Sequence, residues 1–232
     1  MYFISFDVAT KSLAVSIIKY AEDNFIYPHI EEIYTKYKDN TKDFEHYVKL
    51  LKNTNDILNN RYKIEYLDVV DLIPNKKLKE TTTVERTIYL KKYLENTLKE
   101  KILNIPKNKR QFLIEYQMGP NDKSRTISAQ LMLYCSLFSN DDINIAKNQI
   151  ILVGPSLKNT LHFSTDEKSK HSYYLSKYTT NYAANKNHTK YLLKKIVQLY
   201  NQSNILDGIS KTHLDDAADA VCMTFAYIQN YY

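Results

Sequence analysis

Three carboxylates fall within five residues in the stretch Thr212-His213-Leu214-Asp215-Asp216-Ala217-Ala218-Asp219-Ala220-Val221. Downstream, Ala217, Ala220, Val221, Thr224, Phe225 and Ile228 recur at a period of three to four, which predicts a helix with one buried face. At about 100° per residue, Asp216 and Asp219 stand roughly 60° apart on that helix and share a face. Asp215 is expected to point elsewhere and to serve helix initiation, because Thr212 with an acid three residues on fits a hydroxyl cap on the third helical amide. His213, a lone histidine before a helix, reads as a surface or capping residue.

Two more acids stand where strands are expected to end, Asp7 and Glu115. A lone aspartate at a strand end is ordinarily a turn former that bonds nearby amides. Four carboxylates brought to one place are different, because like charges at short range repel unless a cation neutralises them. Oxygen-only ligands without His or Cys select hard ions, Mg²⁺ or Mn²⁺, over zinc. Two such ions about 4 Å apart hold a phosphodiester, one activating water and the other stabilising the leaving 3′ oxygen. The chemistry these acids would support is hydrolysis of a nucleic-acid backbone.

The elements that must position them alternate in type. Tyr2 to Asp7 reads as a buried strand, and Leu13 to Ile18 as its hairpin partner. Residues 21–63 form an excursion from the core pattern, with a short strand within 25–34 and a helix marked by Phe44, Tyr47, Val48, Leu51 and Ile57-Leu58. Ile64 to Val70 is a third strand, and an amphipathic helix runs from Thr82 to before Pro106. Gln111 to Glu115 is a strand closing on its carboxylate, followed by a turn and a helix from Arg125 to Leu137. Ile150 to Val153 is the last strand, and a helix from Asn185 to Leu199 precedes the opening motif. Strand, turn and helix in repeated order indicate an α/β core with parallel strands, whose ends are common places for sites. The whole chain, 1–232, is expected to be one domain.

With 32 basic and 26 acidic residues the net charge is +6, which favours polyanionic partners. The stretch from Ser156 to Tyr200 carries eight lysines against Asp166 and Glu167, interleaved with Tyr173, Tyr174, Tyr178, Tyr182 and Tyr191. Its first two-thirds lack apolar period and are expected to form a long loop suited to phosphate neutralisation and base stacking. Between Lys76 and Arg110, eleven Lys or Arg face four Glu; a solvated helix face explains most of these, while the loop 75–79 is the better phosphate contact. Cys135 and Cys222 fall in apolar helical patterns and read as reduced core thiols. No secretory signal or apolar membrane span is visible, so an intracellular, cytoplasmic chain is expected, host-cytoplasmic if the source is viral.

Together, Phe6-Asp7-x-x-Thr10-Lys11, Ile114-Glu115-x-Gln117 and Asp216-Ala217-Ala218-Asp219-Ala220 resemble the RuvC-type Holliday junction resolvases, closest to the poxvirus-like branch. The resemblance spans the chain through motif order and strand pattern. It implies an RNase H-like mixed sheet flanked by helices, and a homodimer that nicks four-way DNA junctions with two Mg²⁺ or Mn²⁺ ions per site. It implies catalytic and metal-binding roles for Asp7, Glu115, Asp216 and Asp219, a branched-DNA partner, and neither a membrane nor a nucleotide cofactor. Lys11, Gln117, Lys123 and Arg125 are the candidate DNA contacts near the motifs, and Lys158, Lys186 and Lys190 those in the lysine-rich segment. The family usually has glycine two residues after the first aspartate; Ala9 stands there, which requires a negative φ. FDVATKSLAVSI also resembles the phosphate-binding hairpin of actin-like kinases and ATPases, but three glycines leave little room for their adenosine motifs. A non-catalytic DNA-binding protein on the same fold is the remaining alternative.

Overall fold

The computed structural model describes residues 1–21, 61–74, 76–116, 122–161 and 165–232. Its centre is a five-stranded mixed sheet in the order β3-β2-β1-β4-β5, formed by β1 (Tyr2–Val8), β2 (Ser12–Tyr20), β3 (Tyr62–Asp71), β4 (Arg110–Glu115) and β5 (Ile150–Val153). Antiparallel pairing links β1, β2 and β3, while β4 lies parallel to β1 and β5 parallel to β4. The protein is thus an α/β structure consistent with an RNase H-like arrangement.

Strand periodicity separates the two faces of the sheet. From β1, Ile4, Phe6 and Val8 join a core with Leu90, Leu94, Leu98, Ile102, Ile127 and Leu131, contributed by the helices α1 (Thr83–Tyr93), α2 (Lys99–Leu103) and α3 (Asp122–Ser136) and by a π-helical stretch, Leu94–Leu98, that joins the first two. A short α4 (Ile143–Gln149) leads into β5. Phe3 lies in the opposite core with residues of α6 (Asn181–Leu199) and α7 (Leu214–Tyr231). A further helix, α5 (Thr165–Lys177), packs on α6. Apolar residues are therefore needed on both faces of β1, and its sequence is nearly continuous in them.

The alternation along β1 leaves Ser5 and Asp7 on the α7 side. Ser5 Oγ hydrogen-bonds the Thr224 hydroxyl, and Ser16 Oγ on β2 donates to the Ala220 carbonyl at 3.4 Å. Small groups at Ser5, Ala14 and Ser16 on the sheet and at Ala217 and Ala220 on the helix let the two backbones approach closely, and all five are fully buried. The helix runs antiparallel to β1. Five helical residues from Thr224 back to Asp219 cover about 7.5 Å, nearly the roughly 6.7 Å of the two strand residues from Ser5 to Asp7, so Asp219 arrives beside Asp7.

Several expectations need correction. The stretch after Ser156 is not a long loop: a 3₁₀ turn over Leu157–Thr160 is followed by α5, and α6 starts at Asn181 rather than Asn185, with the Thr180 side chain accepting from the Ala183 amide. Thr212 does not cap α7. The N-cap position is His213, without a side-chain cap bond, and the Thr212 hydroxyl pairs with Ser210 Oγ at 2.9 Å. The expected strand and helix within the 21–63 excursion lie outside the described residues.

Close packing of α7 on the sheet makes a clear prediction. Ala220→Leu forces three further carbons against β2 and should destabilise the protein by roughly 1–3 kcal/mol in urea denaturation. An unchanged midpoint would show that the helix does not sit this near the strands.

Candidate functional site: a carboxylate cluster closed by two lysines

Asp7 lies at the penultimate position of β1 and Glu115 is the last residue of β4, the two parallel strands pairing up to Phe6 opposite Ile114. Both acids are buried, at 4% and 3% exposure, and Asp219 at 2%. The positive end of the α7 dipole favours the acids in its first turns, Asp215 and Asp216.

These acids converge on two ammonium groups. Lys158, on the 3₁₀ turn after β5, places its Nζ 3.0 Å from Asp7 Oδ1, 3.1 Å from Glu115 Oε1 and 2.7 Å from Asp219 Oδ2. Lys186, in the second turn of α6, places its Nζ 2.7 Å from the same Asp219 oxygen and 3.4 Å from Asp216 Oδ1. Asp215, expected to point elsewhere, reaches Lys186 Nζ at 3.5 Å from the more exposed side. Two hydroxyls fix the remaining orientation: Thr189 donates to Asp219 Oδ1 at 2.9 Å, and Ser12 donates to Asp216 Oδ2 at 2.7 Å. Neither hydroxyl is marked by any motif. Each is found only because α6 crosses α7 and β2 runs beside β1.

The cluster floors an open cleft of about 370 Å³, walled by Val8, Ala9, Thr10, Ser124, Asn159, Tyr182 and Asn185. Ala9 meets its condition there. Asn201 is the one non-glycine with positive φ among the described residues, so the turn after Asp7 needs no glycine, and the Ala9 amide donates to Ser12 O at 3.1 Å.

Burial and charge act against each other at these acids. Burial raises the Asp7 carboxyl well above its usual range, Lys158 opposing and Glu115 and Asp219 reinforcing it. Asp219 is also buried, yet Lys158 and Lys186 outweigh that burial and hold it below the usual value. Desolvation alone would lower both lysines, but Asp7, Asp219 and Glu115 raise Lys158, and Asp219 and Asp7 raise Lys186. Both stay charged at any physiological pH.

Of the candidate DNA contacts, Lys158 and Lys186 point into the acids. Lys190 lies one turn beyond Lys186 on α6 and is half-buried. Lys11 is exposed in the β1–β2 turn, and Arg125 is exposed on α3 beside Asp122. Gln117 and the side chain of Lys123 lie outside the described residues. Tyr182, 72% exposed, stands at the cleft mouth with Lys186 Nζ 5.9 Å from its ring centre. Cys135 and Cys222 are buried, as expected of core thiols, and burial pushes both thiols up.

Comparison with family models, curated proteins and solved structures found no match to this chain. Among the described residues, no group of three or more His, Cys, Asp or Glu side chains stands ready to hold a metal ion. The carboxylates are instead arranged around ammonium nitrogens. In donor chemistry the set still fits Mg²⁺ or Mn²⁺: it is oxygen-only, buried, and already gathered about positive charge. No helix among the described residues is long and apolar enough to cross a membrane.

The two pKa directions give opposite predictions. A depressed Asp219 stabilises the fold above its unfolded value near 3.9 and loses that contribution as pH falls through its folded value. Asp219→Asn should therefore destabilise the protein at pH 7, by roughly 3–5 kcal/mol for breaking a buried ion pair. A raised Asp7 does the reverse, stability falling as pH climbs from about 3.9 toward the folded value. Asp7→Asn should raise the melting temperature at pH 7, and the gain should vanish near pH 3. A lower melting temperature for Asp7→Asn at pH 7 would mean that its contact with Lys158 outweighs burial.

Proposed function

We propose that this chain is a metal-dependent endonuclease that hydrolyses phosphodiester bonds in four-way DNA junctions. One observation carries the reading: acids from β1, β4 and α7, up to 212 residues apart in sequence, meet at one end of a mixed sheet, under an open cleft. Burying this much like charge is costly, and a stable fold alone has no need of it. The D-A-A-D-A helix, the Asp-bearing first strand and the Glu-ended fourth strand carry the resemblance to junction resolvases.

Asp7, Glu115, Asp216 and Asp219 would hold Mg²⁺ or Mn²⁺. Bound there, such ions supply the charge that activates water and stabilises a leaving 3′ oxygen. The chain's own groups do the rest. Thr189 and Ser12 hold the Asp219 and Asp216 carboxylates in fixed orientation, as precise ligands require. Ser124, Ala9 and Thr10 shape the wall against which a sugar–phosphate strand would lie. Exposed Tyr182 offers a ring on which an unpaired base near a branch could stack, and Lys190 and Arg125 offer charge for flanking phosphates. A branched substrate cut on two strands calls for a homodimer, and the net charge of +6 suits DNA.

The lysine contacts favour one competing reading, in which the same fold binds DNA and the ion cluster is purely structural. Cleavage separates the two. The protein should nick a synthetic four-way junction with Mg²⁺ and leave a linear duplex of the same arms largely intact. Glu115→Gln should lower the nicking rate by about 10²–10³-fold, the usual effect of removing one group that stabilises transition-state charge, while junction binding in a mobility-shift assay persists. Binding without nicking in either Mg²⁺ or Mn²⁺ would favour the structural role, and full activity of Glu115→Gln would remove that residue from the site.

A further inference from the structure

Lys158 and Lys186 occupy the position the proposed function gives to a metal ion, and how they coexist with it follows from distance and charge. The ammonium nitrogen of Lys158 sits within 3.1 Å of oxygens from three carboxylates belonging to three different elements. Lys186 shares the Asp219 Oδ2 atom with it, both at 2.7 Å. A divalent ion binds carboxylate oxygens at about 2.0–2.6 Å. An ion at that distance from the Asp219 oxygen would stand within a few ångströms of both ammonium nitrogens, where like charges repel strongly. Ion and ammonium therefore compete for these oxygens.

Leaving requires no refolding. Both lysines line the open cleft, with side chains 14% and 15% exposed, and each carries its charge on a flexible four-carbon stem. Rotation about that stem can carry Nζ away from the acids into the cleft that Asn159 and Tyr182 also line. Charge balance points the same way. Two ammonium groups face five acids, Asp7, Glu115, Asp215, Asp216 and Asp219, so the cluster can accept more positive charge than the lysines supply. Once outside, two strongly hydrated ammonium groups stand where a backbone phosphate would enter.

We propose that Lys158 and Lys186 are exchangeable counter-cations: they hold the carboxylates together in the metal-free protein, and they leave for the phosphate backbone of DNA when a divalent cation enters. The inference rests on the reading of the cleft as a cation site. Cation binding and DNA binding then strengthen one another, because each draws on the same displaced lysines, and the coupling must be reciprocal.

Two measurements on the 232-residue chain test this. In the first, Mn²⁺ binding is followed by electron paramagnetic resonance of the free ion for wild type and for Lys158→Met. Removing the resident ammonium should tighten Mn²⁺ binding about tenfold and lower the metal-free melting temperature. The second uses wild type alone, so it survives a variant that fails to fold. Brief acetylation with an N-hydroxysuccinimide ester, read by mass spectrometry, should leave Lys158 and Lys186 protected without metal and label both once Mn²⁺ is saturating. Mn²⁺ binding equally well to wild type and Lys158→Met, with both lysines still protected, overturns the exchange and leaves the cation site standing. No Mn²⁺ binding to either protein overturns the cation site itself, and the exchange with it.

Discussion

Carboxylates buried together demand a counter-charge, and the α7 face of this protein is organised by that demand. Taking one carboxylate out of water costs several kcal/mol after relaxation, and each further acid at short range adds repulsion. Lys158 answers three acids at once and Lys186 gathers the acids at the head of α7. Neither lysine comes from the elements that carry the acids. The turn after β5 and the start of α6 have to close over the sheet end before the charges balance, so the cluster couples the C-terminal half of the chain to β1.

Close approach makes that possible. Serines and alanines between α7 and the sheet shorten the distance at which helix and strand pack, and the Ser5–Thr224 pair keeps their buried hydroxyls satisfied. The matched advance along helix and strand then delivers Asp219 to Asp7. A leucine-rich interface would stabilise the layer equally well but would hold the acids apart.

Much of this could be read from residue order. Buried strands announce themselves by apolar runs, so β1, β4 and β5 are visible in sequence, and the i, i+3 spacing of Asp216 and Asp219 needs only helical geometry. Other features had no local signal. The α5 segment is rich in Lys, Ser and Tyr, and a helix whose exposed face dominates has little apolar period to show. Thr212 fits a capping pattern, yet its hydroxyl goes to Ser210, because helix initiation depends on where the preceding turn places the chain. Lys158 and Lys186 looked like phosphate contacts. Nothing in composition tells a lysine that faces solvent from one that closes a carboxylate cluster; only the fold that brings β5 and α6 to the sheet end does so. Ala9 shows the converse, since the sequence suggested a missing glycine and the turn has no use for one.

Exchange of internal ammonium for a divalent ion at this site is tested most directly by anomalous diffraction. Crystals of the protein grown without metal and then soaked in Mn²⁺ should show anomalous peaks bounded by Asp7, Glu115 and Asp219, with the Lys158 ammonium moved out toward the cleft mouth. Mn²⁺ absent from these oxygens, with Lys158 Nζ still seated among the three carboxylates in saturated crystals, would contradict it.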